Sequence, residues 1–295
     1  MKCLMGLLVL WTLGSQALAG PTEFDYGVHL FETGDYYRSI TELERVRFFS
    51  PQSKESEGAL WLIADAYLKG EKWDLAAQSY NDFLETYPTS PHAVEAGFFR
   101  AEAIYEARKL EEAKEAYIGL LKNPALGDLA AVAHLRLASL SLVNEEWQDA
   151  ALQFSEAGKL EQGRLGELED WEKLCRQGQA LQANSMSLAL LSSALIPGSG
   201  EMESGYVSDG VSSFILVGGL LAWSAYFYAT HQQLSGTVFG VVGGVFYLGN
   251  LQGTVLAVQR ANRDRPRALI KKILDDLAQQ AVPDPNLEPW IKEAP

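Results

Sequence analysis

A fixed period of 37 residues organises the first two thirds of this chain. Four segments align at that spacing. One column holds only small residues, Gly27, Ala64, Ala101 and Ala138, and a bulky column follows with Tyr36, Trp73, Leu110 and Trp147. Three more columns come after it: Ser39, Ala76, Ala113 and Ala150; Leu43, Tyr80, Tyr117 and Phe154; Val46, Phe83, Leu120 and Ala157. The bulky and later columns step by 3, 4 and 3 residues, which places them on one face of a helix. Small residues let two helices approach closely, and bulky ones fill the groove between a unit and its neighbour. Self-similarity at this period is the mark of a stacked helical array.

The column order, small, bulky, Ala, aromatic and then Pro, resembles the tetratricopeptide (TPR) repeat. Pro51 and Pro88 fill the Pro place, Pro124 falls one residue early, and the fourth copy lacks it. The TPR period is about 34 residues, so this chain adds a few between units. That longer form is similar to periplasmic TPR proteins of bacterial envelope assembly, such as the lipoprotein of the outer-membrane barrel-assembly machine and the cell-division coordinator. The resemblance implies a solenoid over residues 20–184, closed by a fifth first-helix, Leu168 to Ala183, with Cys175 buried in its small-residue column. It also implies a protein partner held in a concave groove lined by the first helix of each repeat. Asp65, Tyr67, Arg100, Ile104 and His134 are the candidate groove residues. Residues 20–184 carry 29 acidic and 16 basic side chains, which suits either solvated helix faces or an acidic groove for a basic segment.

The flanks of this array read as membrane elements. Residues 1–19 form a signal peptide, with an apolar run from Cys3 to Leu13 and small residues, Ala17 and Ala19, before a cut at Gly20. Val211 to Thr230 and Ser235 to Val258 are uncharged runs, each long enough to cross a bilayer. Trp223, Tyr226 and Tyr228 stand where interface aromatics would. Gly236, Gly240 and Gly244, and then Gly249 and Gly253, make a four-residue ridge for close helix packing. The partner of that ridge is either the first span, at Gly218 and Gly219, or a second copy in a homo-oligomer. Residues 187–196 suit a re-entrant or interfacial helix, stopped by an interfacial turn at Pro197, Gly198, Gly200 and Gly205.

Residues 187–262 resemble an uncharacterised bacterial membrane domain with the pattern S-x-x-x-P-G-x-G-Q-x-Y-x-G, two apolar helices and a closing A-x-x-x-N. That domain is distantly like two-span TM2 modules. Ser193, Pro197, Gly198, Gly200, Gly205, Ala257, Ala261 and Asn262 match it, whereas Glu201 and Glu203 depart from it. The resemblance carries no activity. After it comes a basic tail, 263–295, preceded by Arg260, with an amphipathic helix expected over 266–281. Two crossings would leave this tail on the side of the repeats, and three would put it opposite.

The formal net charge of -14 argues against nucleic acid, whose phosphates need a basic surface. With Cys3 removed by processing, Cys175 stands alone and no disulfide framework exists. His29, His92, His134 and His231 are scattered away from metal-ligand spacing, and no nucleophile motif appears. No cofactor, metal or catalytic residue is expected. The sequence therefore predicts an all-α fold, a TPR-type helical solenoid followed by an α-helical transmembrane hairpin in domain 185–262. Its expected place is the bacterial inner membrane with the repeats in the periplasm. The expected role is a non-enzymatic scaffold for an envelope protein partner, with the lipid bilayer as its second partner. The alternative is a component of an oligomeric intramembrane complex for insertion or export.

Overall fold

The computed structural model describes residues 22–161, 165–181 and 183–278. The expected signal peptide and the prolines after residue 280 lie outside them. Every regular element among the described residues is helical: α1 Glu23–Glu32, α2 Tyr36–Phe49, α3 Lys54–Lys69, α4 Trp73–Thr86, α5 Ala93–Glu106, α6 Leu110–Leu120, α7 Leu129–Val143, α8 Trp147–Leu160, α9 Leu165–Gln179, α10 Met186–Leu195, α11 Ser199–Glu203, α12 Val207–Ala229 and α13 Gln233–Ala278. A short 3-10 turn, Pro124–Leu126, precedes α7. The helices fall into two compact units, one holding α1–α6 and most of α7, the other holding the first part of α8 and everything from α9 onward.

The repeat columns explain the first unit. Ala64, Ala101, Ala76 and Ala113 are fully buried, and so are Leu43, Tyr80 and Tyr117. Gly27 shows why its column stays small: a Cβ there would strike Leu43 on the next helix. Ser39 uses its hydroxyl to donate to the Gly27 carbonyl at 2.7 Å, which ties α2 to α1. The bulky column supplies the first residue of every second helix, Tyr36, Trp73, Leu110 and Trp147. Trp61 sits at the centre, fully buried, with Tyr80, Phe83 and Phe99 packed edge-on around it.

The turns inside the repeats follow the same period. Gly34, Glu71, Arg108 and Glu145 all have positive φ, and they are 37 residues apart. In each turn this left-handed residue donates back three positions, and the next residue donates back five, as Lys72 does to Tyr67 and Lys109 to Ile104. These bonds satisfy carbonyls that the helix end would leave open. The sequence hides this column, because only one of its four members is glycine.

In the second unit, α9 lies against α8, where Trp171 meets Phe154 and Gly178 faces the Trp147 ring with no room for a side chain. Cys175 is fully buried, and burial together with Glu172 pushes its thiol up to about 12. The helices α12 and α13 form an antiparallel hairpin. Both are long and apolar enough to cross a membrane, and most of their side chains are exposed. One feature differs from the sequence expectation. The second apolar run and the basic helix expected over 266–281 are one helix, α13, which runs through Pro266. Proline removes one backbone bond there, but no glycine stands between Gln259 and Lys272, and Ile273 is fully buried further on. Helix α13 also packs on α9.

Glu71→Gly should stabilise the protein. A left-handed non-glycine residue costs about 1–2 kcal/mol, and glycine returns roughly half of that as unfolded-chain entropy. A net gain of about 0.5–1 kcal/mol in chemical denaturation is expected, and Arg108→Gly should behave alike.

Candidate functional site

Two places concentrate polar groups inside these helices. The first is a column of buried acids in the repeats. Asp65 and Glu102 each follow the small-residue column of their repeat, 37 residues apart, and both are buried. Each faces the tyrosine fifteen residues on, Tyr80 and Tyr117. Tyr117 donates its hydroxyl to Glu102 Oε1 at 2.6 Å. Arg136, from the next first-helix, donates from Nε and Nη2 to the same carboxylate at 3.0 and 2.7 Å. Its guanidinium also stacks 4.8 Å from the centre of the Tyr105 ring, whose hydroxyl meets Ser139 at 3.1 Å. A buried carboxylate is tolerated when paired in this way. Burial pushes the hydroxyls of Tyr80 and Tyr117 well above their ordinary value, and the facing Asp65 and Glu102 add to it.

This column decides where the candidate groove residues lie. Asp65 is 0% exposed and Ile104 is 2% exposed, so both belong to the core. Tyr67, Arg100 and His134 are half-buried on the first helices α3, α5 and α7, and they offer surface. His134 also lines a cleft of about 650 Å³ with Leu121, Pro124, Leu126, Asp128 and Glu161. The Glu102–Arg136 pair escaped the sequence reading. Its signal was the acid that recurs beside the small column.

The second place is the turn between α10 and α12. Asn184 and Asn262 bond each other's backbone and amide at 2.7 and 3.0 Å. Ser193 meets Thr254, hydroxyl to hydroxyl, at 2.7 Å. Gly198 donates its N–H to Asn250 Oδ1 at 2.7 Å, and Gly200 donates to Ser193 Oγ at 2.9 Å. Moving from Asn184 to Gly198 thus steps backward along α13 from residue 262 to 250. So α10 runs antiparallel to α13, turns at Pro197–Gly198, and α11 returns toward the start of α12. Gly198 has a φ of 85°, and its α-carbon lies against the backbone of Gly210, so no side chain fits at either position. Gly200 is closed in by Ala189, Thr254 and Ser193, and Gly205, with φ 94°, lies beside Arg265. Arg265 reaches the Ser204 carbonyl at 3.2 Å. Glu201 is buried, accepts from Ser213 Oγ at 2.9 Å, and rests its other oxygen against Gly253. Among the described residues no group of three or more His, Cys, Asp or Glu is arranged to hold a metal.

The glycine ridge divides. Gly236 lies under Tyr228, Gly240 under Ser224, and Gly253 under Glu201. Gly243, which falls outside the four-residue spacing, meets Leu220 and Leu221. Gly244 and Gly249 on α13, and Gly218 and Gly219 on α12, face open space. The hairpin packs through Ser224, whose hydroxyl donates to the Gly236 carbonyl at 2.7 Å, rather than through the α12 glycines.

The fold therefore defines a helical-repeat protein with a C-terminal hairpin of two apolar helices. A family model described as a tetratricopeptide repeat-like domain matches residues 52–165. The match spans α3 to α8 and ends before the apolar helices. No curated protein matches the chain.

Two outcomes test this geometry. Asn250→Leu leaves the Gly198 N–H buried without an acceptor, which costs about 1–3 kcal/mol; thermal unfolding in detergent should show the loss. Alkaline titration reads the tyrosines. Their folded pKa values lie above the unfolded value of about 10, so their contribution is complete below that pH and falls away above it. Tyr117→Phe should flatten the alkaline loss of helicity followed by circular dichroism.

Proposed function

We propose that this protein is a membrane-anchored scaffold whose TPR-like repeats hold a protein partner in the periplasm of a bacterium, in envelope assembly or transport. The observation that carries the reading is the trio Tyr67, Arg100 and His134, half-buried at surface positions on successive first helices of a protein-interaction fold. The repeat fold is a non-catalytic interaction fold, and stacked repeats of this kind bind through an extended concave surface.

Anchoring is supported by the hairpin. Its two apolar helices expose Phe214, Ile215, Val241, Val245 and Leu248. A water-soluble protein rarely leaves so wide an apolar surface uncovered. The pairing of Asn184 with Asn262 brings the chain into the module and out of it at one end. That supports two crossings with α10–α11 re-entrant, so that the basic end of α13 stands on the same face of the bilayer as the entry from α9. One observation favours the second reading, an oligomeric intramembrane complex: Gly218, Gly219, Gly244 and Gly249 are not used inside the hairpin. In lipid such open glycines are where another helix packs.

Crosslinking and capture from intact envelopes, with the native chain and a copy carrying an unrelated hairpin, separates the two. A scaffold captures the same stoichiometric envelope protein in both forms. Capture by the native hairpin alone supports the oligomeric complex, and capture of no partner by either form refutes the scaffold. Tyr67→Ala with Arg100→Ala should weaken capture about tenfold, the size of one or two lost surface contacts, without changing helicity.

A further inference from the structure

The face of α13 just beyond its apolar run carries a ligand preference. Residues 259–272 hold six basic side chains and one acidic one, in a chain of net charge -14. At 3.6 residues per turn, Arg260, Arg263, Arg267 and Lys271 share one face, and all four are exposed. Of these, Arg263 pairs with its neighbour Asp264 at 2.7 Å, with both groups more than half exposed, where an ion pair contributes little. Arg265 points the other way, into the module, at Asn184 and Ser204. Ile273, fully buried, also lies on that inner side. The stripe therefore faces outward and packs on no helix of its own unit.

Helix continuity fixes its height. Because α13 does not break, Arg260 stands about 3 Å beyond Val258, Arg263 about 8 Å and Arg267 about 13 Å, at 1.5 Å per residue. A headgroup layer occupies roughly 5–8 Å outside the hydrocarbon. Long basic side chains bend back over such a boundary. On the inner side of α13, α10 exposes Leu188, Leu191 and Leu195 along one face. The Ser193–Thr254 bond, with Asn184 against Asn262 just before α10, sets that leucine face alongside the last turns of the apolar run. Apolar groups thus lie just inside the boundary and basic groups just outside it, where phosphates would lie.

We infer that Arg260, Arg263 and Arg267 form a surface selective for anionic phospholipid headgroups, with Lys271, about 20 Å beyond Val258, outside its reach. The inference rests on the hairpin being in a bilayer. Anionic headgroups complement a stripe that the acidic remainder of the chain makes exceptional, and each basic residue near such a surface is worth about a fivefold gain.

The test uses the full chain reconstituted into phosphatidylcholine vesicles with and without phosphatidylglycerol. Incorporation is read by resistance to carbonate extraction, and selectivity by the lipids retained in native mass spectrometry. Retention of phosphatidylglycerol over phosphatidylcholine is expected. The R260Q/R263Q/R267Q variant should incorporate equally well and lose that preference, whereas K272Q, off the stripe, should keep it. Should the triple variant misfold, R260Q and R267Q singly should each weaken retention about fivefold. Equal retention of both lipids by the native chain, or full selectivity in the stripe variants, overturns the inference while leaving the anchor intact. Failure to resist carbonate in either vesicle overturns the anchor as well, so the two failures are told apart.

Discussion

The C-terminal unit depends on one bond, the Gly198 N–H donated to Asn250. A turn that leaves helical geometry inside a packed module must find partners for its own buried backbone. Asn250 lies eight residues before the end of the uncharged run, or about 12 Å inside it, and the Pro197–Gly198 turn packs beside it. Asn250 and Thr254 on α13 and Ser193 on α10 are the polar groups that make it tolerable. Glycine at 198, 200 and 210 follows from the same requirement. Backbones that share so few donors must approach until no Cβ fits between them.

The repeats solve a related problem differently. The end of each first helix, α1, α3, α5 and α7, closes on itself with the paired return bonds around Gly34, Glu71, Arg108 and Glu145. The conformation is the same whether or not glycine is present, so the stacking of the units imposes the turn. Small columns set how near successive helices come, and in the third repeat Tyr117 and Arg136 converge on Glu102 to hold the polar interior together. In the fourth repeat the acid gives way to Ser139 and the tyrosine to Phe154. The polar pairing is therefore absent from the fourth repeat.

Much of this was legible in residue patterns. Helix pairs, their spacing, the small and bulky columns and the two apolar runs all follow from periodicity, because burial repeats wherever the column repeats. What escaped was of two kinds. Asp65 and Ile104 looked like groove residues because first helices carry the groove, yet a helix packed on both sides buries most of its circumference. The Gly218–Gly219 pair looked like a packing surface, but the hairpin registers on Ser224, one turn and a half further on. Rotation of a helix about its own axis decides both cases, and a uniformly apolar run such as α12 leaves that rotation undetermined. Likewise the apolar run and the amphipathic helix over 266–281 read as separate elements, and only the structure shows them as one helix through Pro266, with Ile273 buried beyond it.

The continuity of α13 has a mechanical consequence. Forty-six residues at 1.5 Å each make a rod of about 69 Å. Roughly 30 Å of it lies past Val258. In the anchor proposed above, spans answer changes in bilayer thickness by tilting. A tilt of about 10° would sweep the far end sideways by about 5 Å, the pitch of one helical turn. A hinge after Val258 would absorb that motion, whereas an unbroken helix would hand it on to α9, on which α13 packs.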